Sequence, residues 1–284
     1  MEKRINLLNS GSRYLAREGI ENTTCETELF LSHILDCPRA ELYLNDIAVK
    51  EDNSRQFWQF LSTRAEGIPL QYILGRAEFM GITFKVGPGV FIPRPETEIL
   101  VEAILNLPPT TCHLPPRILD IGTGCGNIAI SLAKYLAQAH VFACDICDSA
   151  LRLAEENARL NGIELNIVKS DIFGAFCNKR NYFSLIVSNP PYVNREDISK
   201  LPRELQHEPK DALDGGLDGL MYYRQIIKEA PDYLEKDGLL ALEIGDNQAR
   251  SIKQIIEEVP NLTLVSITKD YNNIERVVLT KKVK

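Results

Sequence analysis

The chain has 284 residues, 44% hydrophobic and 25% charged, with 32 basic against 39 acidic side chains and a formal net charge of −7. That composition excludes a disordered or collagen-like chain, and its acidic balance argues against broad nucleic-acid binding, since neutralising many phosphates requires a Lys/Arg footprint. No apolar stretch approaches the ~20 residues that span a bilayer, and the charged start Met1-Glu2-Lys3-Arg4 has no apolar secretory core, so no membrane partner and a cytoplasmic location are expected.

Helical periodicity fills the first part of the chain. Ile5, Leu8, Tyr14 and Leu15, then Leu29, Phe30, Ile34 and Leu35, recur at three- and four-residue spacing. Thr27 is expected to cap or begin the second of these helices. Ser54 to Glu66 places Phe57, Trp58, Phe60 and Leu61 on one face of a further helix. Composition then shifts to turn and strand at Gly67-Ile68-Pro69-Leu70-Gln71-Tyr72-Ile73-Leu74-Gly75, followed by Phe79-Met80-Gly81 and an alternating run over 82–86. The expected organisation is an all-helical domain over 1–75, a linker and hairpin over 76–90, and a second domain over 91–284. In Phe91-Ile92-Pro93-Arg94-Pro95-Glu96-Thr97-Glu98 the prolines are expected to end just before a helix whose first turn holds Thr97 and the carboxylates. Locally, Arg94 reads as a solvated side chain, with bracing of the cleft as the alternative.

From Arg117 the pattern changes. Arg117-Ile118-Leu119-Asp120-Ile121 reads as a buried strand, and Gly122-Thr123-Gly124-Cys125-Gly126 turns directly into a helix over 127–137. Glycines there let backbone approach a ligand closely, and the helix start adds unpaired amide donors. A second strand from His140 ends at Asp145, 145 − 122 = 23 residues past the first glycine, the distance at which a carboxylate grips a ribose diol. NAD-dependent enzymes and adenosylmethionine-dependent transferases share this arrangement. The strict dinucleotide fingerprint needs glycine at position 127, where Asn127 stands, so a ligand with one adenosine and no pyrophosphate is favoured.

Helices over 149–160, 220–234 and 247–258 alternate with strands over 165–169, 183–188 and 239–244, which predicts a doubly wound, mostly parallel α/β sheet. Strands over 262–268 and 276–280 complete seven, joined by a short turn over 270–273. An antiparallel hairpin at that point suits a methyltransferase sheet better than a dehydrogenase one.

The strand Phe183 to Ser188 delivers Asn189-Pro190-Pro191-Tyr192. Two prolines lack amide donors and hold the preceding residue extended, so Asn189 offers a carbonyl acceptor and an amide donor at a fixed place beside an aromatic face. A proline-stiffened strand exit is the plain structural alternative.

Other reactive side chains are dispersed. Cys25, Cys37, Cys112, Cys125, Cys144, Cys147 and Cys177 are odd in number, which fits reduced thiols. Cys144 and Cys147 form a C-x-x-C without a second ligand pair, and His33, His113, His140 and His207 make no metal or triad motif. No metal is expected.

Taken together, Pro69 to Gly75, Ile92 to Glu98, Asp120 to Gly126, Asn189 to Tyr192, and Glu208-Pro209 before Ala212-Leu213 resemble the protein-(glutamine-N5) methyltransferases of peptide chain release factors, the PrmC/HemK family. The resemblance spans nearly the whole chain. It implies a Rossmann-like class I methyltransferase domain preceded by a small helical domain that docks the substrate. It further implies that Gly122, Thr123, Gly124, Cys125 and Gly126 cradle the methionine part of S-adenosylmethionine, that Asp145 holds the ribose, and that the Asp171-Ile172 corner flanks the adenine, with Ile172 and Phe173 both candidates to cover it. Asn189, between cofactor and substrate, and Pro190 would accept the two protons of a glutamine amide in a Gly-Gly-Gln loop, while Pro191 and Tyr192 pack around it. Because N-P-P-Y is shared, a nucleic-acid amino-methyltransferase acting on adenine or guanine is the alternative.

Overall fold

The computed structural model describes residues 3–44, 48–107, 115–136 and 138–283; Cys112 and His113 lie outside them. The described chain falls into two compact units, one formed by Met1–Gly75 with Pro202–His207 and the other by Arg76–Leu201 with Glu208–Lys284.

The first unit consists of α1 (Arg4–Arg17), α2 (Thr23–Leu35), α3 (Glu41–Leu44), α4 (Glu51–Ala65) and α5 (Leu70–Leu74). Of the predicted stripes, Leu15, Phe30, Phe57 and Leu61 are fully buried in its core and are joined there by Leu7 and Leu31, whereas Ile5 is exposed. Gly11 lets α1 and α4 touch, since a Cβ there would stand 2.8 Å from the Phe57 ring. Thr27 neither caps nor begins α2. The helix starts at Thr23, whose hydroxyl lies 2.8 Å from Ser12 Oγ, and Thr27 sits one turn inside, donating back to the Thr23 carbonyl at 2.9 Å. At the end of α4, Arg64 is 1% exposed. It donates to both oxygens of Glu26, at 2.7 and 3.1 Å, and pairs with Glu204. The stretch expected to be turn and strand before Gly75 contains α5, stopped by Gly75 in a left-handed conformation (φ 69°).

In the second unit β1 (Arg76–Phe79) and β2 (Ile82–Lys85) form the expected hairpin. Its two-residue turn, Met80-Gly81, has both residues left-handed (φ 50° and 66°), matching the twist of the paired strands. Phe79, Ile82 and Phe84 are buried in the main core, so this hairpin is part of the unit. Helix α6 (Pro95–Leu105) opens at Pro95, with Arg94 at the N-cap position; proline is tolerated there because the first helical amide has no intrahelical partner.

The main sheet has the order β5-β4-β3-β6-β7-β9-β8, with β3 (Arg117–Ile121), β4 (His140–Asp145), β5 (Asn166–Lys169), β6 (Phe183–Ser188), β7 (Leu234–Glu243), β8 (Leu262–Lys269) and β9 (Glu275–Lys282). The first five run parallel, and β9 lies antiparallel between β7 and β8. Helices α7 (Asn127–Tyr135), α8 (Asp148–Leu160), α9 (Met221–Tyr233) and α10 (Ala249–Glu257) make the crossovers. Strand β7 begins five residues earlier than its apolar run suggests, because Phe183 of β6 pairs with Leu234 across a register shift. Every position of β6 is buried, as expected of a strand covered on both faces.

Candidate active site

The parallel strands end together, and the order in which strands are added reverses between β3 and β6, the position at which α/β sheets open a crevice. Ile121 and Ser188 are register partners, and Ser188 Oγ donates to the Ile121 carbonyl at 2.8 Å. Gly122 and Asn189 therefore leave neighbouring strands at the same level, which brings the glycine turn and the N-P-P-Y loop together.

All three glycines of the turn have positive φ: 72° at Gly122, 56° at Gly124 and 86° at Gly126. A Cβ on Gly122 or Gly124 would meet nothing within 4 Å, whereas one on Gly126 would stand 3.0 Å from Ile130 Cδ1 and 3.3 Å from Ala154 Cβ. Gly126 serves close helix packing; the other two leave open space above the backbone. Thr123 is turned inward, donating to Asp120 Oδ2 at 2.7 Å, and the same oxygen accepts the Ala129 amide at 3.2 Å. Asp120 is fully buried and its Oδ1 has no partner; burial pushes its carboxyl up to about 7. Cys125 is also buried, its thiol pushed up to about 12 by desolvation. The backbone of the turn, not these two side chains, faces the opening.

Asp145, at the end of β4, braces the turn: Oδ2 accepts the Gly124 amide at 3.0 Å and Oδ1 the Cys147 amide at 2.9 Å. Burial raises its carboxyl, and each oxygen keeps lone pairs for a diol. Beyond β5, Asp171 is exposed, and Ile172 turns the chain with φ 44°, an unusual conformation for a β-branched residue. Phe173 is not available to cover a ligand. It is 1% exposed and stacked on Tyr233 with ring centroids 4.3 Å apart, because the left-handed step at Ile172 turns the next side chain into the core.

In the N-P-P-Y loop Asn189 is half-buried, Pro190 buried, and Pro191 and Tyr192 half-buried. Asn189 Nδ2 donates to Thr97 Oγ1 at 3.1 Å, which leaves Oδ1 as an acceptor. The Tyr192 carbonyl accepts from Gln248 Nε2 at 3.0 Å, and Gln248 Oε1 accepts the Gly245 amide at 2.9 Å. Glycines allow this crowding: a Cβ on Gly215 would lie 2.8 Å from Tyr192 Cα, and one on Gly245 2.9 Å from Tyr192 Cδ2. Desolvation pushes the Tyr192 phenol up to about 12, so it stays protonated.

Arg94 is paired, not solvated. It binds the buried carboxylate of Glu208, lies 4.8 Å over the Phe91 ring, and shares Glu208 with the Ile92 amide at 3.0 Å. This pins the start of α6, and with it Thr97.

Sequence reasoning missed Thr97, Gln248 and Glu243 as site residues. Glu243 ends β7 beside Asn189, 1% exposed; a charged residue closing an apolar run was the available signal. Among the described residues no cluster of His, Cys, Asp or Glu is placed to hold a metal, and no helix is long and apolar enough to cross a membrane. The open glycines and the braced Asp145 fit a ligand with an amino-acid part and an adenosine.

Comparison with known proteins agrees with this geometry. Residues 6–75 match the family described as PrmC N-terminal domain, and residues 81–222 that described as Methyltransferase small domain. The chain is 40% identical to the release factor glutamine methyltransferase of Fusobacterium nucleatum, covering 99% of this chain and 79% of that protein. It is 38% identical to that of Moorella thermoacetica, over 96% of each. Among solved structures, a methyltransferase from Pyrococcus furiosus superposes with a TM-score of 0.56 at 20% identity, covering 72% of this chain and 91% of that one. A T. thermophilus 16S rRNA methyltransferase in complex with AdoMet and guanosine gives 0.54 at 20% identity, covering 74% and 50%. These two likenesses establish the fold.

Proposed function

The chain belongs to the release factor glutamine methyltransferase family, and from that premise we propose that it transfers a methyl group from S-adenosylmethionine to N5 of the glutamine in the Gly-Gly-Gln motif of peptide chain release factors. The observation that carries this reading is the side-by-side exit of Gly122 and Asn189 from register-paired strands. On this reading a cradle for the donor stands next to an acceptor for an amide.

Gly122 to Gly126 hold the methionine part, Asp145 the ribose, and Asp171 with Ile172 the adenine. Bound S-adenosylmethionine supplies a methyl group already activated by its sulfonium charge. The chain's own task is positioning, because a carboxamide nitrogen is a poor nucleophile whose lone pair is delocalised. Holding nitrogen and methyl in line is worth ~7–11 kcal/mol in favourable cases. Asn189 Oδ1 and the Pro190 carbonyl accept the two amide protons and aim the nitrogen, while Pro191 and Tyr192 wall the planar group. The methylated nitrogen is strongly acidic and gives its surplus proton to water, so no dedicated base is required. The helical unit docks the body of the release factor, and this substrate class puts the reaction in the cytoplasm.

Mass spectrometry of purified release factor incubated with the protein and S-adenosylmethionine tests the reading. One added methyl on the Gly-Gly-Gln glutamine is expected; methyl incorporation into RNA or DNA instead would favour the nucleic-acid alternative.

A further inference from the structure

The two ends of the Asn189 amide are nearly the same size, yet only one serves a substrate that brings two N–H donors. Turned the wrong way, the side chain would present its own donors to them. Asn189 Nδ2 lies 3.1 Å from Thr97 Oγ1, but a hydroxyl both donates and accepts, so Thr97 alone is compatible with either orientation. The asymmetry has to come from the next group.

That group is Glu243. It follows Leu242, the register partner of Ser188, and therefore sits level with Asn189. It is 1% exposed and its Oε2 has no hydrogen-bond partner. Burial raises its carboxyl to about 7, opposed by hydrogen bonding from Thr97, the charge of Arg276 and hydrogen bonding from Asn189, so that it is ionised above that pH. An ionised carboxylate only accepts. Thr97 must then spend its single proton on Glu243 and can only accept from Asn189, which fixes Nδ2 inward and Oδ1 toward the opening. Packing alone does not account for a carboxylate here, since an apolar side chain ends a buried strand at lower cost.

We propose that Glu243 is a positioning residue that sets the hydrogen-bond polarity of Thr97 and Asn189, so that Asn189 presents its carbonyl to the substrate amide. The inference rests on the methyl-transfer reading above. The charged and titratable groups facing Glu243 are Arg276 of β9, Glu96 of α6, Tyr192 of the N-P-P-Y loop and Tyr223 of α9, the last donating to the Glu243 carbonyl at 2.9 Å. Against Arg276, burial pushes the carboxyl up to about 7. Protonation makes Glu243 a donor and releases Thr97, so turnover falls as pH drops through that value.

The test is steady-state methylation of release factor by wild type, Glu243→Gln, Thr97→Val, Thr97→Ser and the Glu243→Gln/Thr97→Val pair, with calorimetric S-adenosylmethionine affinity and thermal unfolding beside it. Loss of orientation is expected to lower kcat about 100-fold in Glu243→Gln and Thr97→Val, with KM and cofactor affinity held within about threefold. The double variant should be no worse than either single one, since the residues act as a unit. Thr97→Ser should stay near wild type, and the fall in kcat below pH 7 should vanish in Glu243→Gln. Wild-type turnover by Glu243→Gln with an unchanged pH profile, or losses that multiply in the double variant, would overturn the proposal. Should Glu243→Gln not fold, the Thr97 variants decide: full activity of Thr97→Val sinks the relay, and its loss with rescue by serine supports it. Failure of wild type to methylate release factor would instead refute the parent reading, and the same variants assayed on whichever amine it does methylate would still judge the relay.

Discussion

Asp120 and Glu243 each carry a buried carboxylate oxygen without a partner, and burial pushes each carboxyl up to about 7. An ordinary aspartate in the unfolded chain titrates near ~3.9. For Asp120 the folded value lies above the unfolded one, so its contribution to stability is fully present below that pH and is lost as pH rises toward 7. Asp120→Asn keeps an acceptor for Thr123 and Ala129 and removes the titration. Thermal unfolding from pH 4 to 8 should show wild type losing stability relative to this variant, by up to about 4 kcal/mol, the equivalent of that displacement; Glu243 is common to both proteins and cancels. At Asn189 the consequence is catalytic. Asn189→Ala is expected to abolish methyl transfer while leaving S-adenosylmethionine affinity within a few-fold, read by a methylation assay beside calorimetry. Near-normal turnover would remove its role as the acceptor that aims the amide.

At the level of elements, the N-P-P-Y loop is held by what surrounds it. Gly219 has φ 72°, and a Cβ there would stand 2.4 Å from the Tyr192 carbonyl oxygen and 2.7 Å from Gln248 Nε2. Gly219→Ala should therefore shift the loop and lower kcat by about tenfold or more, with cofactor affinity retained because the glycine turn after β3 is untouched; an unchanged kcat would show that the loop tolerates displacement. The strands and the glycine turn were legible in the sequence because each rests on a local rule: apolar runs for β3 and β6, glycine for positive φ, and a carboxylate at the right distance for Asp145. The partners were not. Asn189 and Thr97 are 92 residues apart in sequence, and Thr97 reads locally as a residue of a helix start. The inward turn of Phe173 depends on a left-handed step at Ile172 that no propensity signals, and the 3-10 turns at 195–200 and 210–212 follow no apolar period.

For the whole molecule, substrate recognition should exceed what the crevice at the strand ends provides. If the helical unit docks the release factor, a second contact makes the first effectively intramolecular. Full-length release factor should then show a KM lower by about tenfold or more than a short Gly-Gly-Gln peptide at similar kcat. Equal KM values would assign recognition to the loop alone and leave the helices without that role.

The helical unit also has a non-contiguous inheritance. Arg64 is buried between Glu26 and Glu204, and Glu204 arrives from 140 residues downstream. A gene divided at Gly75 would yield a piece whose interior guanidinium has lost one of its two acidic partners and depends on Glu26 alone. Grafting, recombination or separate expression of the helices has to carry Pro202–His207 along, so this part of the protein is portable only as two stretches of chain together.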